Sequence, residues 1–355
     1  MNLTVITTIL EFVLSFGVLL FIHEFGHFII SRLFKVEVEE FGFGFPPRLV
    51  KLFTWGGTDF TLNWIPFGAF VRPKGENDPN IEGGLASANP WKRLAVLLGG
   101  PMLNILAGII IFSVLFTKTG APNPRIVQIM EVSKGSPAET AGILSNDIIA
   151  KANGTEITST TQLSTIVKSN LGKEMTLTLK RNENIVEIKA VPRVNPPPNQ
   201  GSLGIVMGNP IHPITIMEAI PYSFLTAGAQ AASLITLPGK LIQGQVNPEE
   251  ARVVGPVGMY DIYSQVRTRD IDAASQPSSQ ASDSLNRFWL LGTISIALGI
   301  TNLLPIPALD GGRIIFLLPE LIFRKRVPAQ YENMVHLIGF ATLIAFMVYV
   351  TSQDI

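Results

Sequence analysis

The sequence predicts a polytopic α-helical membrane protein with four transmembrane helices, a membrane-associated β-hairpin and one small inserted α+β domain. Three observations predict this fold class. Of the 355 residues, 15% are charged and 47% are hydrophobic, whereas ordinary soluble domains carry about 25% charged residues. Four apolar stretches reach the length that crosses a bilayer, about 17–25 residues. Between the second and third stretches lies a segment of short β-type runs and turns.

Residues 1–34 and 94–117 are predicted to form transmembrane helices 1 and 2. The first stretch has no basic start and no small-residue cleavage pattern, so we expect a membrane helix and not a cleaved signal peptide. Residues 35–93 between the two helices contain two apolar-alternating runs around Gly56 and Gly57. This pattern is typical of a β-hairpin, and we expect the hairpin to contact the membrane.

Residues 121–195 are predicted to form the inserted domain, because short β-rich runs there alternate with two brief helical pieces. Residues 196–285 should contain a stiff linker, an apolar helix and a polar connection over 264–284 that we expect to be mobile. The apolar part, 214–242, includes two prolines and several polar residues. From its composition alone it could either cross the membrane or lie on its surface.

Residues 286–312 and 334–351 are predicted to form transmembrane helices 3 and 4, with a loop over 313–333 between them. Lysine and arginine are concentrated in this loop and in residues 35–93, so the positive-inside rule places both on the cytoplasmic side. The N-terminus, the inserted domain and the C-terminus are then extracytoplasmic.

The first predicted helix contains an unusual group of ionisable residues, HEFGH at 23–27. Residues four apart share one face of a helix, so His23 and His27 can bind one zinc ion. Glu24 lies close enough to accept a proton from a water molecule beside the metal. The alternative is a set of packed polar residues in a helix bundle. Ionisable groups at membrane depth are costly and usually functional, so the motif favours a zinc site with Glu24 as general base.

Catalytic zinc usually has three protein ligands, so a third ligand is expected elsewhere in the chain. His212 lies outside the membrane and His336 lies in the last helix without neighbours, which makes both unsuitable. Asp310 is the better candidate, because Pro305 and Pro307 interrupt the third helix just before it. Glycines follow Asp310, and they should allow a tight turn. An interrupted helix at membrane depth is tolerated where it lines a cavity.

Membrane topology gives a separate argument for Asp310. The first helix enters from outside, so its histidines lie in its cytoplasmic half. Asp310 reaches the same depth only if residues 214–242 do not cross the membrane. We therefore expect 214–242 on the outer membrane surface and the active site near the cytoplasmic side.

Composition excludes several other functions. The chain has no cysteine, which excludes disulfides, thiolate metal sites and cysteine nucleophiles. Net charge is zero without a basic stripe, so we expect no nucleic acid partner. No Gly-x-Ser-x-Gly turn supports a serine protease. The remaining alternative is a membrane scaffold with an inactive metal site, against which the intact Glu24 argues.

Three motifs together resemble the site-2 protease family, the zinc metalloproteases that cut transmembrane segments inside the bilayer. They are HEFGH at 23–27, GGPMLN at 99–104 and NLLPIPALDGG at 302–312. The resemblance covers essentially the whole chain and is strongest to the bacterial RseP-like members with four spans. Residues 135–157 resemble the signature of a PDZ domain, and GPVGMYDI at 255–262 resembles a segment these proteins carry before the third span.

The resemblance implies roles for particular residues. His23, His27 and Asp310 would be the zinc ligands, and Glu24 would be the general base. Asn302 would help to hold the substrate backbone. The implied activity is hydrolysis of peptide bonds within transmembrane segments, with Zn²⁺ as the cofactor.

Other residues near the motifs are expected to support this chemistry. Pro305 and Pro307 lie in an unwound segment that, with the hairpin, could bind an unwound substrate by β-addition. Asn104 is expected to brace the site by hydrogen bonding. The hairpin departs from the family pattern, since Ala69 and Phe70 stand where a glycine pair followed by tyrosine is expected.

The resemblance also implies partners and a location. We expect single-pass membrane proteins as substrates, such as anti-sigma factors or remnant signal peptides, and a location in the bacterial cytoplasmic (inner) membrane. The single PDZ-like domain would either bind a peptide or act as a size gate.

Overall fold

The computed structural model describes residues 3–198, 200–245, 254–275 and 285–354. The chain divides into two compact units, the first comprising Met1–Lys118 with Ile216–Ile355 and the second comprising Thr119–Thr215. Three of the described helices are long and apolar enough to cross a membrane. The architecture is that of a polytopic membrane protein with an inserted β-rich domain.

The N-terminal half of the first unit consists of two long helices joined by a β-hairpin. In chain order these elements are α1 (Leu3–Leu33), β1 (Val38–Trp55), β2 (Thr58–Pro73) and α2 (Pro90–Thr119). The strands are antiparallel, and Gly56 and Gly57 form the turn with positive φ values of 58° and 85°. The two strands therefore form a hairpin within residues 35–93 whose turn lies at these glycines, while its contact with the membrane stays a prediction.

Aromatic packing attaches the hairpin to α1. Phe28 of α1, Phe41 of β1 and Phe60 of β2 are all buried and belong to one hydrophobic cluster. Their rings contact one another with centroid separations of 5.5–5.7 Å, which is the usual range for aromatic pairs. This cluster holds β2 beside the α1 segment that carries the histidines.

The C-terminal half of the first unit is helical. It contains α5 (Ile216–Ile242), α6 (Pro256–Ser275), α7 (Asn286–Asn302), α8 (Asp310–Phe323) and α9 (Ala329–Asp354), which are numbered after two short helices of the second unit. Within the part of the chain that the structure describes, α1, α2 and α9 meet the length and hydropathy of a span. Helix α7, the third predicted span, has 17 residues.

Helix α5 covers the ambiguous stretch 214–242. Ser223 of α5 lies 3.0 Å from Ser113 of α2 (Oγ to Oγ), and Gln230 lies 3.3 Å from Thr293 of α7 (Nε2 to Oγ1). The helix therefore packs against both α2 and α7. Its placement on the outer membrane surface remains a prediction.

Two segments predicted as connections are wrong, because both are helical where the structure describes them. Residues 264–275 belong to α6, in which Tyr263 is buried and Arg267 forms an ion pair with Glu11 of α1 at 2.7 Å. These tertiary contacts order a segment whose composition is polar; the rest of the predicted mobile connection, 276–284, lies outside the described residues. The predicted loop 313–333 is helical up to Phe323, and Leu317 of α8 is buried.

The second unit is mainly β-structure with two short helices. Its elements are β3 (Ala121–Pro122), β4 (Val127–Val132), α3 (Pro137–Thr140), β5 (Ile148–Ala152), β6 (Thr155–Glu156), α4 (Thr160–Ser169), β7 (Met175–Arg181), β8 (Asn184–Ala190), β9 (Ile205–Gly208) and β10 (Ile211–His212). The main sheet has the order β8-β7-β5-β4-β9, with β6 paired to β5. Buried aliphatic side chains from the sheet and both helices form one core.

The predicted end of this domain at residue 195 is too early. Strand β9 pairs antiparallel with β4, so the unit continues to Thr215. The sequence did not indicate this strand, because β9 has only four residues, has no alternating pattern and follows a proline-rich linker.

Candidate metal centre

The three predicted zinc ligands lie together in the structure. His23 Nε2 is 3.2 Å from His27 Nε2 and 3.2 Å from Asp310 Oδ2, and His27 Nε2 is 3.5 Å from Asp310 Oδ2. Among the described residues these three form a group whose ligand atoms are close enough to hold one metal ion. Residues far apart in sequence therefore converge at a single point.

The spacing of these atoms fits zinc. Bonds of about 2.0–2.1 Å in a tetrahedral site put neighbouring ligand atoms about 3.3 Å apart, close to the observed separations of 3.2, 3.2 and 3.5 Å. Asp310 Oδ2 is buried and accepts no well-directed hydrogen bond from the described residues. A buried carboxylate oxygen needs a partner, and a cation shared with two imidazoles would supply it.

The tautomer of His27 is fixed by helix α2. His27 Nδ1 lies 2.7 Å from the carbonyl oxygen of Val96, and a carbonyl can only accept, so Nδ1 carries the proton. The lone pair of Nε2 then faces Asp310. An imidazole held in this way is typical of metal-ligating histidines.

His23 has a similar neighbour in Asn104. The amide Nδ2 of Asn104 is 3.5 Å from His23 Nδ1, while its Oδ1 is buried without a partner among the described residues. Exchanging the amide oxygen and nitrogen, which are assigned from the hydrogen-bond network, lets Oδ1 accept from Nδ1–H. That orientation gives Asn104 Oδ1 a partner and leaves His23 Nε2 free to bind a metal.

Glu24 is held by the hairpin. Its Oε2 accepts a hydrogen bond of 3.0 Å from the backbone N–H of Val71 in β2. The carboxylate therefore has a fixed position beside the two histidines. Sequence reasoning did not predict this contact, and no sequence pattern indicates it, because the donor is a backbone group.

A cavity of about 310 Å³ opens onto these residues. Among the residues that line it are His23, Glu24, His27, Asp310 and Asn302. Phe70 and Val71 of β2 also line it, as do Ala308 and Leu309 of the segment between α7 and α8. Non-helical segments therefore contribute to the lining of the cavity.

The other predicted substrate-binding residues differ in position. Asn302 lines the cavity, but its Nδ2 donates to the carbonyl of Leu298 at 3.0 Å. Pro305 is exposed, and neither it nor Pro307 is among the residues that line the cavity. Pro307 instead packs closely against Gly339 of α9.

The glycines after Asp310 do not form the predicted tight turn. Gly311 and Gly312 have no positive φ and lie in the first turn of α8. Glycine is needed there for close packing, since a Cβ on Gly311 would lie 2.2 Å from the carbonyl oxygen of Leu304. The prediction was wrong because glycine occurs where two backbone segments pack closely as well as in tight turns.

The expectation that His336 lacks neighbours is also wrong. Its Nδ1 lies 3.0 Å from the backbone nitrogen of Ala308, in the segment that leads to Asp310. The contact joins α9 to the candidate metal centre.

Comparison with known proteins agrees with these observations. The chain matches Peptidase family M50 over residues 11–346. A candidate zinc metalloprotease of Clostridium perfringens is 31% identical over 346 residues, 96% of each chain. Zinc metalloprotease RasP of Oceanobacillus iheyensis is 28% identical over 98% of this chain and 99% of its own. Regulator of sigma-W protease RasP of Bacillus subtilis is 26% identical over 99% of this chain and 98% of its own.

The matched range, 11–346, contains both histidines, Glu24 and Asp310. Two imidazoles and a carboxylate at these separations are a donor set that zinc accepts, and zinc is the cofactor of this family. The chain therefore belongs to peptidase family M50, the site-2 type of zinc metalloprotease.

Proposed function

We propose that this protein is an intramembrane endopeptidase that hydrolyses peptide bonds within the transmembrane segments of other membrane proteins. The observation that carries this proposal is the convergence of His23, His27 and Asp310 within 3.2–3.5 Å, with the histidines on a helix apolar enough to span a membrane. These three residues hold zinc. Glu24, fixed by the Val71 N–H, is the general base.

The chain's own groups prepare the site for hydrolysis. When bound, zinc polarises the peptide carbonyl and makes a water molecule acidic enough to attack it. Glu24 accepts the proton of that water and delivers it to the leaving amine. The Val96 carbonyl and the Asn104 side chain keep the two imidazoles oriented throughout.

The walls of the cavity explain how a substrate is presented. A helical substrate hides its carbonyls in hydrogen bonds, so it must unwind before attack. Phe70 and Val71 of β2 line the cavity, and so do Ala308 and Leu309 of the segment before α8. An unwound substrate pairs with β2 by β-addition, with Ala308, Leu309 and Asn302 near its backbone.

The same proposal includes a topology and a location. Helices α1, α2, α7 and α9 are the four spans, and the hairpin lies at the cytoplasmic side of the bacterial inner membrane. The β-rich unit is an extracytoplasmic PDZ-like domain. The substrates are single-pass membrane proteins such as anti-sigma factors or remnant signal peptides; the name of the Bacillus subtilis relative, which refers to sigma-W, supports the first class.

The test compares two glutamate-to-glutamine variants in the full chain. Glu24→Gln should retain zinc but lose cleavage, so membrane proteins that are normally cut should accumulate as shortened stubs in quantitative proteomics. Glu39→Gln makes the same chemical change at an exposed position of β1 and should behave as wild type. Full cleavage by Glu24→Gln, or purified protein without stoichiometric zinc, would refute the proposal.

A further inference from the structure

A histidine of helix α9, His336, contacts the segment that precedes Asp310. The Nδ1 atom of His336 lies 3.0 Å from the backbone nitrogen of Ala308. A backbone N–H can only donate, so Nδ1 is the acceptor and the imidazole carries its proton on Nε2. Ala308 is two residues before Asp310.

Ala308 has an unusual backbone conformation. Its φ is +77°, in the left-handed region that residues with a Cβ avoid. Such a conformation persists only where the surroundings hold it in place. The hydrogen bond to His336 is a contact of this kind, because it uses the N–H of the strained residue itself.

A second contact fixes the neighbouring residue on the same helix. Pro307 packs against Gly339 so closely that an added Cβ on Gly339 would lie 2.3 Å from the Pro307 Cβ. His336 and Gly339 are three residues apart and share one face of α9. This face therefore holds residues 307 and 308 together, one by close packing and one by a hydrogen bond.

We propose that His336 is a positioning residue for the metal centre. By accepting the Ala308 N–H, it stabilises the left-handed backbone there and sets the distance from the Asp310 carboxylate to His23 and His27. The inference rests on the proposed role of Asp310 as a zinc ligand. It gives α9, which contributes no ligand among the described residues, a defined role in the site.

The test uses side chains that place an acceptor at different distances from the backbone. The Oδ1 atom of His336→Asn can occupy the position of Nδ1, whereas the amide oxygen of His336→Gln lies one bond further out, and His336→Leu has no acceptor. Thr342→Leu is the control, because it removes an exposed polar side chain of α9 whose hydroxyl bonds only to its own helix, at Ile338.

Two measurements on the purified full-length protein report on the metal. Chelator competition gives zinc affinity, and the visible spectrum of the Co²⁺-substituted protein reports ligand geometry. We expect His336→Leu and His336→Gln to lower zinc affinity by about 10-fold or more and to alter the Co²⁺ spectrum. His336→Asn should stay within about 3-fold of wild type, as should Thr342→Leu.

Each contrary result has a clear meaning. Wild-type zinc affinity and spectrum in His336→Leu would overturn the proposal, and so would an equal loss in the Asn and Gln variants, since that indicates packing alone. If the Leu variant does not fold, the Asn and Gln pair carries the test. The Asp310→Asn variant separates this proposal from the proposed function. If Asp310→Asn binds zinc as wild type does, Asp310 is not a ligand and both proposals fail. If Asp310→Asn loses zinc while the His336 variants bind zinc normally, only the positioning role of His336 is refuted.

Discussion

Helix α2 passes His27 at Gly100 with no space for a side chain. An added Cβ on Gly100 would lie 2.4 Å from His27 Nε2 and 2.8 Å from its Cδ2, whereas ordinary contact begins near 3.4 Å. The Gly100→Ala substitution must therefore displace the imidazole or the helix by about 1 Å. The atom most affected is the nitrogen that faces Asp310.

A shift of this size should weaken metal binding without unfolding the protein. Metal–ligand distances tolerate about ±0.2 Å, and His27 Nε2 is 3.5 Å from Asp310 Oδ2 and 3.2 Å from His23 Nε2. Alanine is favoured over glycine in a helix by about 1 kcal/mol, so helix stability does not fall. We expect zinc affinity to drop by about 10–100-fold, or about 1.4–2.8 kcal/mol.

The assay is chelator competition for zinc in detergent, with thermal unfolding measured on the same samples. Gly228→Ala is the matched control, since it is also a helical glycine and an added Cβ there meets no atom within 4 Å. It should bind zinc as wild type does. If Gly100→Ala binds zinc as tightly as Gly228→Ala, the packing of α2 against His27 does not determine the metal site.

Two further predictions concern other parts of the chain. Asn104→Ala should lower zinc affinity by about 10-fold in the same chelator assay, because His23 loses the group that orients it. Ser113 is also buried in α2 but bonds to α5, so Ser113→Ala should leave zinc affinity unchanged. In the β-rich unit, burial opposes the charge of Asp147, but the hydrogen bonds from Arg181 and from the Leu144 N–H, together with the charge of Arg181, outweigh it and lower the pKa of Asp147. The pKa of Asp147 is lower in the folded state than in the unfolded state, so the carboxylate stabilises the fold fully above the unfolded pKa of about 3.9. This stabilisation is lost as the pH falls through the folded pKa. Asp147→Asn should therefore destabilise this unit by about 1–3 kcal/mol at pH 7. Hydrogen exchange over residues 119–215 of the full chain measures this loss of stability. The difference in stability between the variant and wild type should shrink below pH 4.

The candidate ligand set could be proposed from sequence because its chemistry is local. His23 and His27 are four residues apart on a helix, which fixes their common face whatever the rest of the chain does. Asp310 follows two prolines that must interrupt a helix. The hairpin turn could also be predicted from the sequence, since adjacent glycines accept the positive φ values that Gly56 and Gly57 adopt.

The groups that hold the ligands in place could not be predicted in this way. Glu24 is bound by the N–H of Val71 and His27 by the carbonyl of Val96, and every residue but proline carries both groups. No residue type marks them. The contact of His336 with Ala308 depends on two segments meeting in three dimensions. The same reason explains α6, whose polar residues became helical through contacts such as Arg267 with Glu11.

The structure gives a physical meaning to the motif GGPMLN. Val96, Gly100 and Asn104 are spaced by four residues, so they form one stripe along α2. Val96 contacts His27 and Asn104 contacts His23, which means that α2 runs antiparallel to α1 along the metal site.

The glycines of both motifs determine how close these two helices come. An added Cβ on Gly26, between the two histidines, would lie 2.2 Å from the carbonyl oxygen of Gly99, and one on Gly99 would lie 2.7 Å from that of Gly26. Only glycine at both positions lets the backbones approach to this distance. Because the Val96 carbonyl and the Asn104 amide move with α2, the spacing between the backbones decides whether they reach the imidazoles. Gly26 and Gly99 are therefore needed for the backbone spacing that brings α2 to the two imidazoles of the candidate metal centre.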